Sequence, residues 1–238
     1  MKKYLVGTCI LNEGNKIKRL IQKLTDKATY DVLVIDDGST DGALQKIAID
    51  KSFVTVITHK DNKGAGYCVR EMIDYACEKG YTAIFFISGN DKDDPNDLYK
   101  LIKAIEAGYD FVQGSRFLKG GGYGAMPVYR VVATKFVHPI LFSLVTGRRI
   151  TDSTNGFRTI RLSLFSDKRI HIHQDWLDKY ELEPYIFFQA IKLGYKVTEV
   201  PVTKIYPPKQ EGYTKMKPIT GWWSILRPLV FLGLRIKK

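Results

Sequence analysis

A cluster of aspartates directly follows a strongly apolar segment in the first half of the chain. The segment FFISGNDKDDPND, residues 85–97, places four aspartates within seven positions. Carboxylate oxygens are the ligands that hard divalent cations prefer. Aspartate is also a common N-cap, and proline is common in the first turn of a helix. The segment therefore indicates either a cation site or the cap of a helix that begins near Pro95.

Polar residues follow three other apolar segments in the same way. The apolar runs KYLVGTCIL, YDVLVID and FVTVITH are followed by polar loops at residues 12–13, 36–39 and 62–64. A single loop of this kind is typical of ordinary turn chemistry. Four of them, each placed after an apolar run, predict a polar cleft.

The apolar runs alternate with helical patterns over residues 1–117. Ile17, Leu20, Ile21 and Leu24 recur at helical spacing after the first run. Strands that alternate with helices predict an α/β domain with a mainly parallel sheet flanked by helices. Ligands collect at the carboxyl ends of the strands in such sheets, which is where the four polar loops lie.

The composition fits a globular protein with an anionic partner. The chain has 238 residues, 45% of them hydrophobic, and a formal net charge of +12. This charge favours a phosphorylated small molecule, an anionic lipid or a nucleic acid. No nucleic-acid recognition motif is evident, so we expect no nucleic-acid partner.

Cys9, Cys68 and Cys77 form no CxxC pair and predict reduced thiols in a cytosolic protein.

Two segments in the second half predict contact with a membrane surface. Residues 129–147 and 221–238 combine apolar runs with Lys and Arg, and the second contains Trp222 and Trp223. Both patterns are typical of interfacial amphipathic helices, although packing into the protein's own core is the alternative. No stretch reaches the length of about 20 apolar residues that a membrane span needs. We therefore expect peripheral attachment to the cytoplasmic face of a membrane.

Seven motifs in order resemble the family 2 glycosyltransferases with a GT-A fold, and within them the dolichyl- or polyprenyl-phosphate sugar synthases. These motifs are LNEGNKI, VLVIDDGSTDGA, HKDNKGAG, VQGSR, DSTNGFR, GYKVTEVPV and KQEGYTK. The resemblance implies a catalytic domain over residues 1–218, with a nucleotide-sugar half at about 1–117 and an acceptor half at about 118–218. Residues 219–238 would form a basic, aromatic, membrane-associating tail.

The resemblance also assigns roles to individual positions. It implies inverting transfer of a sugar from a nucleotide diphosphate sugar to a polyprenyl phosphate, by direct attack of the lipid phosphate. The positions that would bind the donor are Asn12, Glu13, Asp36, Asp37, Gly38, Lys63, Gly64, Ser88, Asn90 and Thr134. Those that would act in catalysis or hold phosphate are Asp91, Asp93, Arg116, Arg130, Asp152, Lys209 and Lys215.

The metal site is where the sequence departs from the family pattern. The family's Asp-x-Asp, which binds a divalent cation such as Mg²⁺ or Mn²⁺, falls on the uncharged Ser88 and Asn90. Three alternatives remain: the cation binds Asp91 and Asp93, it stays with Asn90 and a later Asp, or there is no metal. In the last case Lys92 and the arginines would neutralise the diphosphate.

The sequence also leaves the chemical class of the acceptor open. A phosphate acceptor is already ionised and needs cations, whereas a sugar hydroxyl needs a general base, for which Asp175 and Glu183 are candidates. Asp152 would hold a sugar hydroxyl or a basic neighbour, or cap a helix. A non-catalytic relative that binds nucleotide or anionic lipid is the third hypothesis.

Overall fold

The described part of the chain contains one seven-stranded sheet that carries the polar loops. A computed structural model describes residues 3–26, 29–47, 49–50, 52–206 and 220–237. The strands are β1 (Tyr4–Ile10), β2 (Tyr30–Asp36), β3 (Val54–Thr58), β4 (Ala83–Phe86), β5 (Phe111–Ser115), β6 (Arg158–Arg161) and β7 (Val197–Pro201). Their order is β3-β2-β1-β4-β6-β5-β7. The predicted α/β class with a mainly parallel sheet is confirmed.

One strand runs against the others. β6 pairs antiparallel with both β4 and β5, and Thr159 lies opposite Phe85 on one side and Val112 on the other. Its sequence, RTIR, is short and flanked by charges, so the apolar pattern gives no sign of a central strand. The DSTNGFR segment enters this strand and thereby lies at the same edge of the sheet as the loops that follow β4 and β5.

Helices cover both faces of the sheet. They are α1 (Asn15–Lys23), α2 (Ala65–Glu78), α3 (Leu98–Glu106), α4 (Val128–Val132), α5 (His138–Thr146), α6 (Leu182–Lys192) and α7 (Thr220–Gly233). Short 3₁₀ turns occur at Leu44–Lys46, Pro95–Asp97, Leu162–Ser166 and Asp175–Leu177. One apolar core contains Ile17 and Leu20 of α1 together with Leu101 of α3. The other contains residues of α2, α5, α6 and α7.

The C-terminal helix packs on the domain with one of its faces. Leu229 and Leu232 of α7 are buried in the second core, whereas Trp223 remains 52% exposed. Polar contacts reinforce this packing, because Arg227 pairs with Glu181 at 2.6 Å. The segment expected to form a separate tail is therefore partly core and partly surface.

The segment from Val128 to Thr146 is one helical rod. A π-helical turn, Ala133–Val137, joins α4 to α5. This rod of 19 residues is the one helix among the described residues that is long and apolar enough to cross a membrane by length and composition, with only 22% of its apolar window buried. The expectation that no segment has these properties is thus wrong for this helix, because it carries just two Lys or Arg residues, Arg130 and Lys135, and keeps a mean hydropathy of 1.4.

Candidate active site

The loops after β1 and β2 are tied together by side-chain hydrogen bonds. The backbone N–H of Asn12 donates to Ser39 Oγ at 2.9 Å, and Asn12 Oδ1 accepts from the N–H of Thr40 at 2.8 Å. Asp36 Oδ1 accepts from the N–H of Ser39 at 2.9 Å. Glu13 lies 3.7 Å from Lys16 at the start of α1. These residues form one wall of a cleft at the carboxyl edge of the sheet.

Asp37 is buried and organises the loop after β3. Its Oδ1 accepts from the N–H of Lys63 at 2.8 Å and its Oδ2 from the N–H of Gly64 at 2.9 Å. His59 lies 2.8 Å from Oδ1 and its other ring nitrogen lies 2.7 Å from Glu71. Asp37 therefore fixes the backbone of residues 63–64 through both of its carboxylate oxygens.

Two glycines allow these loops to approach other backbone closely. Gly38 has φ +81°, and a Cβ there would lie 3.0 Å from the backbone N of Asn62. Gly64 has φ +108°, and a Cβ there would lie 2.5 Å from the carbonyl oxygen of Asp178. Any larger residue would be strained at both positions. Gly38 therefore lets the loop after β2 approach the loop after β3, and Gly64 lets the loop after β3 approach the backbone at Asp178.

Each of the two aspartates proposed as metal ligands forms ion pairs with basic residues of a different segment. Asp91, at φ +56°, pairs with Arg19 at 2.8 Å and Lys23 at 2.7 Å on α1. Asp93 is fully buried; it pairs with Lys204 at 2.6 Å and accepts from the N–H of Ser88 at 2.9 Å. The capping role belongs to their neighbour Asp94, which accepts from the N–H of Asn96.

Lys204 is a site residue that the sequence analysis missed. The segment after β7 lies against the aspartate loop, since the N–H of Asp94 donates to the Thr203 carbonyl at 3.1 Å. This pairing carries Lys204 Nζ to 2.9 Å from Ser88 Oγ and 2.6 Å from Asp93 Oδ1. No sequence signal connects two positions 111 residues apart, so only the folded chain could reveal it.

The residues at this position do not fit a divalent cation. Ser88 and Asn90 are uncharged, Asn90 Oδ1 lies 3.3 Å from the N–H of Lys92, and the Asp91 and Asp93 carboxylates are already paired with basic side chains. Protein sites for Mg²⁺ use carboxylates that are free to face the ion. The structure therefore gives no support to a cation bound by Asp91 and Asp93.

One other group of possible ligands occurs in the part of the chain that the structure describes. Asp37, His59 and Cys68 lie with their ligand atoms within 4.8 Å of one another. Both ring nitrogens of His59 already contact carboxylates, and Asp37 already accepts from two backbone N–H groups. The arrangement is that of a hydrogen-bonded network, and a metal would have to displace it.

Basic side chains surround the ring of Tyr206. Lys92 lies 4.9 Å and Arg130 5.4 Å from the ring centroid, and Arg116 donates to the hydroxyl at 3.2 Å. Burial, together with the nearby charges of Lys204 and Arg130, lowers the pKa of Lys92 to about 8. A group of cations of this kind attracts anions.

Arg116 and Asp152 form a buried bidentate pair beside this cluster. Arg116 Nε lies 2.6 Å from Asp152 Oδ2, and Nη2 lies 2.8 Å from Oδ1. Burial opposes the charged guanidinium, but the attraction and hydrogen bonds of Asp152 outweigh it and raise the pKa of Arg116. Asp152 thus has the basic neighbour proposed for it. Nearby, Thr134 Oγ1 donates to the carbonyl of Arg130 at 2.7 Å.

Several proposed residues lie elsewhere. Lys209 and Lys215 fall outside the described residues. Lys63 Nζ donates to Tyr67 on α2 and is exposed. Glu183, a candidate base for a sugar hydroxyl, lies 3.5 Å from the fully buried Arg158. Asp175 lines a cavity of about 480 Å³ on the other side of α2 from the core.

The fold and cleft together are those of a glycosyltransferase of the GT-A type, in which a mainly parallel sheet presents polar loops at its carboxyl edge. Residues 5–169 match the family model of Glycosyl transferase family 2, and the chain belongs to this family.

Curated relatives agree with this membership, and a solved structure shares the fold. The chain is 29% identical over 218 residues to Glycosyltransferase AglJ of Haloferax volcanii, covering 90% of this chain and 67% of that protein. It is 29% identical over 189 residues to the polyprenol monophosphomannose synthase of Mycolicibacterium smegmatis, covering 78% and 69%. The glucosyl-3-phosphoglycerate synthase of Mycobacterium tuberculosis, solved with Mn²⁺, uridine diphosphate and phosphoglyceric acid, aligns with a TM-score of 0.66 at 16% identity, covering 98% of this chain and 78% of that chain.

Proposed function

We propose that this glycosyltransferase moves a sugar from a nucleotide diphosphate sugar to a polyprenyl phosphate, with inversion. The observation that carries the proposal is the group of cations around Tyr206, where Lys92, Arg116 and Arg130 meet. Such a group suits a reaction in which two anions, the donor diphosphate and the acceptor phosphate, must lie close together. The relative from M. smegmatis is itself named for a polyprenol phosphate product.

The cleft favours a phosphate acceptor over a sugar hydroxyl. An ionised phosphate oxygen attacks the anomeric carbon without a general base, and the bond to the diphosphate oxygen breaks as the new bond forms. Glu183, the candidate base for a hydroxyl, lies 3.5 Å from the buried guanidinium of Arg158. The remaining candidate, Asp175, lines a cavity with Arg70, Asp74 and His173.

A lipid acceptor requires a membrane face, and the helical rod supplies one. Val128, Tyr129, Phe136, Ile140 and Leu144 of the rod are each between 49% and 79% exposed. Gly233 of α7 packs against Val145 of the rod. The two helices thus form one apolar face, defined here by the exposed residues of Val128–Thr146 and of Trp223–Ile236.

Basic residues flank this apolar face. Lys135, Arg148, Arg149, Arg235 and Lys237 are exposed. Apolar side chains inserted at the lipid boundary, with Lys and Arg at the headgroups, are typical of helices that lie on an anionic bilayer. We therefore propose that the protein attaches peripherally to the cytoplasmic face of a membrane through this surface, and that the acceptor phosphate reaches Arg130 from it.

A donor screen tests the proposal directly. Purified full-length protein is incubated with UDP- and GDP-sugars and a short-chain polyprenyl phosphate in detergent, with the free polyprenol as the matched acceptor control. We expect sugar transfer to the phosphate and none to the alcohol. Transfer to a sugar hydroxyl that is lost in Asp175→Asn or Glu183→Gln would overturn the proposal, and so would nucleotide binding without turnover on any acceptor.

A further inference from the structure

The position where a cation would meet the donor diphosphate is occupied by a lysine. Lys204 Nζ lies between Ser88 Oγ and Asp93 Oδ1. Ser88 is the residue that stands at the first aspartate of the family's Asp-x-Asp. The ammonium group has three N–H donors, and two are directed at these oxygens. The third N–H would then donate to a phosphate oxygen.

The surrounding charges oppose a divalent ion at this place. The charges of Lys204, Arg130 and Lys16 lower the pKa of Lys92, whereas Glu13 raises it. Lys92 thus lies among side chains that are mostly positive. A further doubly charged ion placed among them would be repelled, and the repulsion is strong where side chains are buried. A diphosphate placed there would be attracted for the same reason.

We propose that the ammonium groups of this chain take the place of the divalent cation, so that Lys204, fixed by Ser88 and Asp93, and Lys92 neutralise the donor diphosphate directly. This inference rests on the proposed function only in taking a nucleotide diphosphate as the donor. It gives Lys204 a role in binding the donor diphosphate. Asp93 then positions Lys204 and does not coordinate a metal.

Nucleotide binding measured with and without metal tests the inference independently of transfer. The dissociation constants of UDP and GDP are determined by calorimetry in Mg²⁺, in Mn²⁺ and in excess EDTA. We expect the affinity for the nucleotide that binds to change by less than about threefold on chelation, because fixed ammonium groups supply the charge–charge contacts. A loss of about tenfold or more in EDTA would overturn the inference, as would failure of both nucleotides to bind under every condition.

A variant that removes Lys204 together with its carboxylate partner tests whether this lysine binds the diphosphate. Lys204→Met combined with Asp93→Asn removes both members of the buried pair, so that neither charge is left unpaired. We expect it to weaken diphosphate binding by about tenfold to a hundredfold, as the loss of a charged hydrogen bond does, with little change for the nucleoside. Lys168→Met, an exposed lysine beyond the end of the antiparallel β6, is the matched control and should bind normally. Unchanged diphosphate affinity in the double variant would contradict the inference.

A further variant is designed to make diphosphate binding depend on a metal. This result would not be expected if Lys204 had only a structural role. Ser88→Asp and Asn90→Asp together with Lys204→Met and Asp93→Asn place an Asp-x-Asp at residues 88–90 and remove both members of the buried ion pair. We expect diphosphate binding by this variant to depend on Mn²⁺ and to be lost in EDTA. If the native chain binds nucleotide equally well with and without metal but never glycosylates polyprenyl phosphate, the proposed function fails and this inference stands.

Discussion

Arg116 and Asp152 are joined by a bidentate ion pair that is wholly enclosed by the protein. Their side chains are 2% and 0% exposed, and the shortest contact is 2.6 Å. The pair connects the loop after β5 to the loop before β6, and Arg116 also donates to Tyr206. Arg116 therefore positions the Tyr206 hydroxyl, whereas Arg130 of the helical rod lies over the Tyr206 ring.

The first prediction concerns the stability of this pair. Asp152→Asn leaves a buried guanidinium without its counter-charge, and we expect the free energy of unfolding to fall by about 3–5 kcal/mol. Urea denaturation followed by circular dichroism measures the change. Arg169→Gln, which removes an exposed partner of Asp167, is the control and should leave the unfolding midpoint unchanged. A midpoint for Asp152→Asn that matches the control would show that the pair is not structural.

The second prediction concerns the nucleotide end of the cleft. In Asp37→Asn an amide NH₂ replaces one carboxylate oxygen and faces the backbone N–H of Lys63 or Gly64, so that this N–H donor loses its acceptor. We expect UDP or GDP affinity to fall by at least about tenfold because the loop is no longer held by a charged acceptor. Calorimetry measures the affinity. Asp50→Asn, before β3 at the opposite edge of the sheet, should bind as the native protein does.

The third prediction concerns pH and Lys92. Because burial and neighbouring cations lower its pKa to about 8, Lys92 is protonated below that pH and loses its charge above it. Diphosphate binding should therefore weaken as the pH rises through about 8 to 9, with proton uptake on binding detectable by calorimetry in buffers of different ionisation enthalpy. Lys92→Arg should remove this dependence, because guanidinium stays charged.

The lowered pKa of Lys92 changes folding stability with pH in the direction opposite to its effect on diphosphate binding. The pKa of Lys92 is lower in the folded protein than the ordinary value of 10.5, so the unfolded chain binds more protons between these two pH values. The contribution of this group to stability therefore grows as the pH rises through that window. Ligand-free Lys92→Met should lose this pH dependence of unfolding. If ligand binding and stability both fell together as the pH rose, Lys92 would not be the titrating group.

The fourth prediction concerns the apolar face. Phe136→Glu combined with Leu144→Glu places charges where we expect lipid contact, and should lower binding to phosphatidylglycerol vesicles by at least about tenfold. Vesicle co-sedimentation measures the bound fraction. Tyr99→Glu, an equally exposed aromatic on α3 at the other face of the sheet, should bind as the native protein does. Equal loss in both variants would indicate a nonspecific charge effect.

The sequence alone determined the architecture and the general position of the site. Apolar runs that alternate with helical patterns are a local property, because a strand buried on both faces needs continuous apolar residues and a helix needs a stripe. The polar loops after those runs, including Asn12, Asp37 and Gly64, follow from the same pattern, since parallel strands end at one edge. Family membership followed from the order of the motifs.

The tertiary structure decided which partners those residues have. The antiparallel β6 could not be recognised from RTIR, and without it Asp152 has no reason to meet Arg116. The pairing of residues 203–205 with the aspartate loop brings Lys204 to Ser88 and Asp93, and α1 brings its cations to Asp91. A count of carboxylates in sequence cannot show which ones are already neutralised, because ion pairing depends on distances that are set only when remote segments pack together.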